Sequence, residues 1–335
     1  MSNSKDRSVS DIDFVIIWLD SSDPEWLELR RKYQNEEDKT LNINESRFRD
    51  WGLLKYWFRG VERYAPWVRR VHLVTCGHYP SWLNLDNPKL NFVKHSDYMP
   101  AEYLPTFSSF PIELNLHRIE GLSDKFVYFN DDMFLVNPTT PGAFFKDGLP
   151  RDLAIRSFPM LGEFGHINLS CINLINREFY FKEQMRKNWR KWISPLYGPA
   201  IFRDFIFLPF GDFTGVINKH VANSYLKSTF ETVWEKYGDV LDKTCRHRFR
   251  STEDVCQWVF KFWQIVSGNF KPQRYGFGDF LTVNDTEGLK KYFKNKRTKV
   301  VCLNDIDNIK DIGKLKSTIV EMFEAKFPDR SSFEI

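Results

Sequence analysis

Asn130, Asp131 and Asp132 interrupt a run that is otherwise apolar, FVYFNDDMFLV at residues 126–136. A buried carboxylate without a partner is either costly or titrates to neutrality, so a cation, a polar network or an opening onto a cleft must compensate. If the strand continues through all three residues, alternate side chains share a face, which sets Asn130 and Asp132 together and Asp131 opposite. Two oxygen ligands so spaced at a strand end suit a hard divalent cation, Mg²⁺ or Mn²⁺. An acidic turn that caps the next element fits the same letters equally well.

Other residues repeat the pattern. Asn304 and Asp305 close a second apolar strand, KVVCLND, although an isolated Asn-Asp pair usually makes a turn. Asp20 and Asp23, in WLDSSD, flank a turn after the first strand, where a nucleotide would lie in an α/β fold; helix capping by Asp23 is the competing reading. Arg47 and Arg49 precede a helix N-terminus, where guanidinium forks and backbone N–H groups favour phosphate, and where solvated arginines are also common. His220, in NKHVANSY, offers a base, and RHRFRSTED supplies Arg250 and Asp254. A lone histidine is more often structural than catalytic, and His117 in NLHRIEGL is the weaker candidate, better suited to ordering a neighbour. In RKNWRKW, Trp189 and Trp192 stand among cations, as on an amphipathic helix face or at a membrane surface.

These residues need a scaffold, and the chain has the length for one. With 335 residues, 42% of them apolar and 16% aromatic, it holds one large or two medium domains with an ample core. A net charge of +4 is too mild to demand nucleic acid but suits phosphorylated substrates or an anionic surface. Five scattered cysteines without CxxC spacing fit a reducing compartment rather than a disulfide framework or zinc site. The polar start MSNSKDRSVSD carries no signal segment, and no run approaches the roughly 18 apolar residues of a membrane span. A cytoplasmic protein is expected, with any membrane contact peripheral at the inner face of the plasma membrane.

Strands are expected at Phe14–Leu19, 71–75, 90–95 and from Lys125, alternating with a helix capped by Ser46 and ended by Pro66, and another from Ser108 or Ser109 to Gly121. Such alternation implies a doubly wound α/β sheet with ligands beyond the carboxyl ends of its strands. Residues 1–11 read as a polar tail and 12–140 as a Rossmann-like nucleotide-binding core. Residues 141–217 read as an irregular aromatic-rich insertion and candidate acceptor region. Residues 218–306 read as a helical segment plus strand that completes the active site, and 307–335 as a closing helix.

Taken together, these blocks resemble a known family. DFVIIWLDSSD and the long stretch from RFRDWGLLKYWFRGVERYAPWV to HRIEGLSDKFVYFNDDMF are similar to the first two conserved regions of the Stealth proteins. The segment from His220 through FRSTED resembles the third, and VCLND the fourth. The resemblance implies a GT-A-like nucleotide-sugar fold and metal-dependent transfer of a hexose 1-phosphate, for example GlcNAc 1-phosphate from UDP-GlcNAc, to a glycan hydroxyl in capsule or exopolysaccharide synthesis. A nucleoside monophosphate would leave. It implies a nucleoside-diphosphate sugar donor, a lipid-linked or growing polysaccharide acceptor, and no nucleic acid. Asn130, Asp132, Asn304 and Asp305 would hold Mg²⁺ or Mn²⁺. His220, Arg250 and Asp132 would be catalytic, and Asp20, Asp23, Arg47, Arg49, Asp131 and Asp254 would bind the donor. Two rivals share these motifs: a glycosyltransferase that releases a nucleoside diphosphate, and a non-catalytic glycan-binding module.

Overall fold

The computed structural model describes residues 10–34, 49–162 and 164–335; Arg47 and Ser46, with most of the N-terminal tail, lie outside them. Among the described residues the strands are β1 (Ile12–Ile17), β2 (Val71–Thr75), β3 (Leu90–Lys94), β4 (Lys125–Phe129), β5 (Met133–Leu135), β6 (Phe145–Lys146), β7 (Leu149–Asp152), β8 (Asn223–Leu226), β9 (Lys271–Pro272), β10 (Gly278–Thr282) and β11 (Val300–Asn304). The main sheet runs β3-β2-β1-β4-β8, parallel except for β8, which pairs antiparallel to β4 at the edge. Two three-stranded sheets, β10-β11-β5 and β6-β7-β9, flank it.

Period-two alternation divides the core between the faces of the main sheet. Phe14, Ile16, Val127 and Phe129 enter one cluster, while Val15, Phe126 and Tyr128 enter the other. Both faces being apolar explains why β1 reads IDFVII without polar alternation. Helix Leu54–Tyr64 covers the first face, and helices Ser109–Leu114 and Lys227–Arg246 belong to the second. The α/β sheet expected from the alternation of elements is thus present. A Cβ on Gly60 would meet the Leu135 carbonyl oxygen at 3.1 Å, so this glycine lets helix Leu54–Tyr64 lie close against β5.

Two buried ionic clusters lock this arrangement. Asp13, fully buried in β1, accepts hydrogen bonds from Arg69 Nε (2.8 Å), His72 Nε2 (3.0 Å) and the Ser123 N–H (2.8 Å). Burial alone would raise its pKa, but His72, Arg69 and Ser123 together hold it below the usual carboxylate range. Arg59 bonds both oxygens of Glu334 at 2.8 Å and the Phe327 carbonyl at 2.7 Å, which pins the end of helix Ile312–Lys326 to helix Leu54–Tyr64.

Four stretches differ from the sequence reading; the helix expected from a Ser46 cap starts only at Leu54, with Leu53 as its N-cap. Asn223–Leu226, expected to open a long helix, is the edge strand β8, because the exposed side of β4 offers unpaired backbone groups there. The helix expected to reach Gly121 breaks at Asn115, whose side-chain amide donates to the Pro111 carbonyl at 2.8 Å; a 3₁₀ turn, Leu116–Arg118, follows. The aromatic-rich region is not irregular throughout: it contains helix Gly165–Glu178 and several short helices, and RKNWRKW splits at Asn188 into two of them. No helix of the described residues is long and apolar enough to cross a membrane.

Candidate active site

A cleft of about 520 Å³ opens where β1 and β4 end. Its wall includes Trp18, the Asn130–Asp132 turn, His220, Arg250 and Asp305. The three polar residues that interrupt FVYFNDDMFLV do not continue the strand. They form a tight turn in which the Met133 N–H bonds the Asn130 carbonyl at 3.2 Å, since the chain must leave the main sheet and enter the β10-β11-β5 sheet. Period-two geometry therefore does not decide which of them share a face.

Each member of the turn has a different environment. The Asn130 side-chain oxygen accepts the Tyr128 hydroxyl at 2.5 Å. That hydroxyl also lies 3.2 Å from Glu113 Oε1. Tyrosine has one proton to give, so Glu113 bonds it fully only when neutral. Burial does raise the Glu113 pKa, against the opposing pull of Ser109, Arg250 and Tyr128. Asp131 reaches into the cleft, accessible to water yet walled in. Removal from bulk solvent, then the charges of Asp132 and Asp50, push it up to about 7.

Asp132 sits against β11, where its backbone oxygen accepts from the Leu303 N–H at 2.8 Å. Its Oδ2 accepts from Cys302 Sγ at 3.1 Å and faces His220 Nε2 at 3.6 Å. Its Oδ1 is buried and has no hydrogen-bond partner. Ligand atoms of Asp132, His220 and Cys302 lie within 4.8 Å of one another. Burial and the neighbouring Asp132 push the Cys302 thiol far up, so it stays a neutral donor and not a thiolate ligand. Burial would lower the His220 pKa, but Asp132 and then Glu113 raise it overall. Of these three, the orphaned Asp132 oxygen is the atom that suits a hard divalent cation, and Asp131, which feels the Asp132 charge, is its neighbour in the turn. His220 has a backbone φ of 46°, in the left-handed region, and its N–H is held by Asn218 Oδ1 at 3.0 Å.

The remaining residues named from sequence fall in two groups. Arg49, Arg250, Asn304 and Asp305 reach the same cleft. Arg49 bonds both Asp305 oxygens, at 2.9 and 3.0 Å, and the Ile306 N–H adds a third bond at 2.7 Å. The group that converges on Asp132 is thus His220 and Cys302, while Asp305 is engaged with Arg49. Arg250 bonds Ser109 Oγ at 3.3 Å and lies over the rings of Phe110 and Phe164, at 4.7 and 5.3 Å. Beneath it, buried Asp254 bonds His247 Nδ1 at 2.6 Å and the Ser251 N–H at 2.7 Å, which shapes the loop that presents the arginine. Asp254 does not line the cleft.

Asp20 and Asp23 also stand outside the lining. Asp20 bonds the Ser22 N–H at 2.9 Å, and Asp23 caps helix Pro24–Tyr33 through the Trp26 N–H at 2.9 Å. The helix that Asp23 caps sends Trp26 and Arg30 to the cleft instead. His117 packs in the core against Phe230 and Trp234, and burial drives its pKa down to about 3.

Sequence reasoning missed Glu113, Cys302 and the aromatic wall of Trp26, Phe107 and Phe249, where the last two rings stack at 5.0 Å. Glu113 carried a usable signal, a single acid inside the apolar SFPIEL. Cys302 carried none, for it reads as one more apolar strand residue.

Residues 47–152 match the family model described as Stealth protein CR2, conserved region 2. A capsular polysaccharide phosphotransferase, WcwK, from Streptococcus pneumoniae is 37% identical over 98% of this chain and 99% of its own. The exopolysaccharide phosphotransferase cps2G of Lactiplantibacillus plantarum is 37% identical over 97% of this chain and 96% of its own. The receptor polysaccharide phosphotransferase WefC of Streptococcus oralis is 37% identical over 97% and 99%. The galactosyltransferase LgtC, solved with donor and acceptor sugar analogues, aligns over 96% of each chain at 11% identity with a TM-score of 0.42, too distant to bear on the reaction.

Proposed function

The chain belongs to the Stealth family, and from that premise we propose that it is a phosphotransferase of capsular or exopolysaccharide synthesis. It moves a hexose 1-phosphate, such as GlcNAc 1-phosphate of UDP-GlcNAc, from a nucleoside-diphosphate sugar to a hydroxyl of a lipid-linked or growing glycan. The observation that carries this reading is Asp132, a cleft carboxylate with one oxygen orphaned and the other turned toward His220. Phosphoryl transfer asks a protein for positioning and charge neutralisation more than for covalent help, and this cleft is furnished for both.

Asp131 and Asp132, with Asn130 as a further oxygen donor, would hold Mg²⁺ or Mn²⁺. The bound cation would neutralise the diphosphate of the donor. Arg250, presented by the loop that Asp254 shapes, would pair with the equatorial oxygens of the β-phosphate. Asp305, with Asn304 beside it, would fix Arg49 in the cleft wall as a donor contact. Asp20 and Asp23 would act on the donor through the loop and helix they organise. Were the Nε2 proton directed at Asp132, 3.6 Å away, His220 would keep its lone pair on Nδ1, and that atom would take the acceptor proton. The acceptor oxygen then bonds to the β-phosphorus, the bond from that phosphorus to the bridging oxygen breaks, and the pair leaves on the nucleoside monophosphate. The reaction belongs in the cytoplasm, where activated sugars are supplied.

The test is a screen of nucleotide sugars with divalent metal that identifies the nucleotide released. A nucleoside monophosphate supports the phosphotransferase, a diphosphate makes the chain a glycosyltransferase, and no nucleotide at all leaves only glycan binding. EDTA should abolish turnover and excess Mg²⁺ should restore it.

A further inference from the structure

Large apolar side chains are exposed mainly between residues 158 and 210, and the densest run is short. Phe202, Phe205, Ile206, Leu208 and Phe210 are each at least 44% exposed, and Leu161 nearby is 94% exposed. Parts of the run touch: Phe202 and Phe205 stack at 6.2 Å, and Phe158 meets Phe207 at 4.7 Å and Phe210 at 6.2 Å. A soluble surface seldom leaves so many large rings and aliphatic chains side by side without an occupant.

The surroundings of the patch name that occupant. The Arg156 guanidinium lies over both Phe207 and Phe181, at 5.2 and 4.7 Å, which ties helix Phe181–Lys187 to the edge of the patch. That helix and the turn beyond it expose Lys182, Arg186, Lys187 and Arg190 beside Trp189, with Glu183 the one exposed acid among them. Arg203 is exposed within the patch itself and Asp212 just beyond it, whereas Asp204 is buried and bonds the Arg156 N–H at 2.6 Å. Protein interfaces deplete lysine; an apolar centre with a cationic rim and tryptophan suits the boundary of an anionic bilayer. The patch is close to the cleft along the chain. Only a few residues separate Leu161 from Phe164, which lines the cleft over Arg250 at 5.3 Å.

We propose that residues 158–161 and 202–210 form a membrane-docking face that seats on an anionic phospholipid bilayer and holds the mouth of the cleft at headgroup level. Delivery of a lipid-linked acceptor there rests on the phosphotransferase reading; the docking itself does not, and its test uses neither donor nor acceptor. The full chain is sedimented with vesicles of phosphatidylcholine alone and of phosphatidylcholine with about 30% phosphatidylglycerol. Binding is expected to the anionic vesicles, to be weakened in about 0.5 M salt, and to fall about tenfold or more in Ile206→Asp and in Leu161→Asp. Both side chains are exposed, so these variants should keep the parent melting curve. Absence of binding to anionic vesicles overturns the proposal, as does binding that both substitutions leave unchanged. Self-association that these substitutions abolish, without vesicle binding, would assign the face to a second copy of the chain instead.

Discussion

Replacing His220 with asparagine separates proton transfer from everything else this residue does. Its backbone φ of 46° suits asparagine, whereas alanine there would add about 1 kcal/mol of strain. The imidazole is 36% exposed, meets Phe280 edge-on at 6.2 Å and faces Asp132 at 3.6 Å, so its loss removes little buried surface. The thermal midpoint should move by less than about 3 °C. An amide cannot take a proton at neutral pH, and a positioned base contributes about 10²–10⁴-fold, or about 2.7–5.5 kcal/mol at 1.36 kcal/mol per decade. The assay is the initial rate of nucleoside monophosphate release at saturating donor and acceptor, with the donor KM measured alongside. We expect kcat to fall about a hundredfold or more and the donor KM to change less than about threefold, because the proposed role of the lost group is toward the acceptor. A variant with parent-like melting and a kcat within about threefold of the parent refutes the assignment.

Arg250→Ala should lower kcat/KM about 10²–10³-fold, and Arg250→Lys should recover little of it, because a point charge does not reproduce the planar fork set over Phe110 and Phe164. Asp132→Asn should raise the Mg²⁺ concentration for half-maximal rate by about tenfold or more, read in a metal titration. Asp13→Asn should cost about 3 kcal/mol in urea unfolding, the lower end for a broken buried pair because Arg69 can reach water. Since Asp13 titrates below its unfolded value of about 3.9, its contribution is complete above that pH and lost as pH falls through the folded value. The parent should therefore lose stability more steeply than Asp13→Asn below about pH 4. Arg59→Met should destabilise by about 3 kcal/mol or more, by leaving Glu334 buried without its partner, and calorimetry would show it.

Local physics made the scaffold legible. VHLVT, LNFVK and KFVYF carry apolar residues at both parities because apolar side chains pack on both faces of the main sheet, and each is a strand in the structure, although β3 at the edge buries only Val93. β8 was not legible, since what makes NSYL a strand is the open edge of β4, about a hundred residues earlier. For the site, the letters pointed to three residues that line the cleft but not to what surrounds each of them. Asn130, Asp131 and Asp132 differ through Tyr128, Asp50 and Cys302, and only the last of those pairings needs the C-terminal sheet. Asp23 and Asp254 carry acids for loop and cap geometry, which no spacing distinguishes from acids for a ligand.

The pairing of β5 with β11 has a consequence for the order of events during synthesis. Asp132 receives its neighbour Cys302 only after some 170 further residues have been made, and β11 must dock antiparallel before the turn is held. Loop closure over such a span is slow compared with forming the β1-β2-β3 portion, so that portion can assemble on the ribosome first. A nascent chain could thus form the β1-β2-β3 part of its main sheet while the Asp132 corner was still incomplete. Any activity that needs Asp132 held against β11 would wait until Cys302 had left the ribosome.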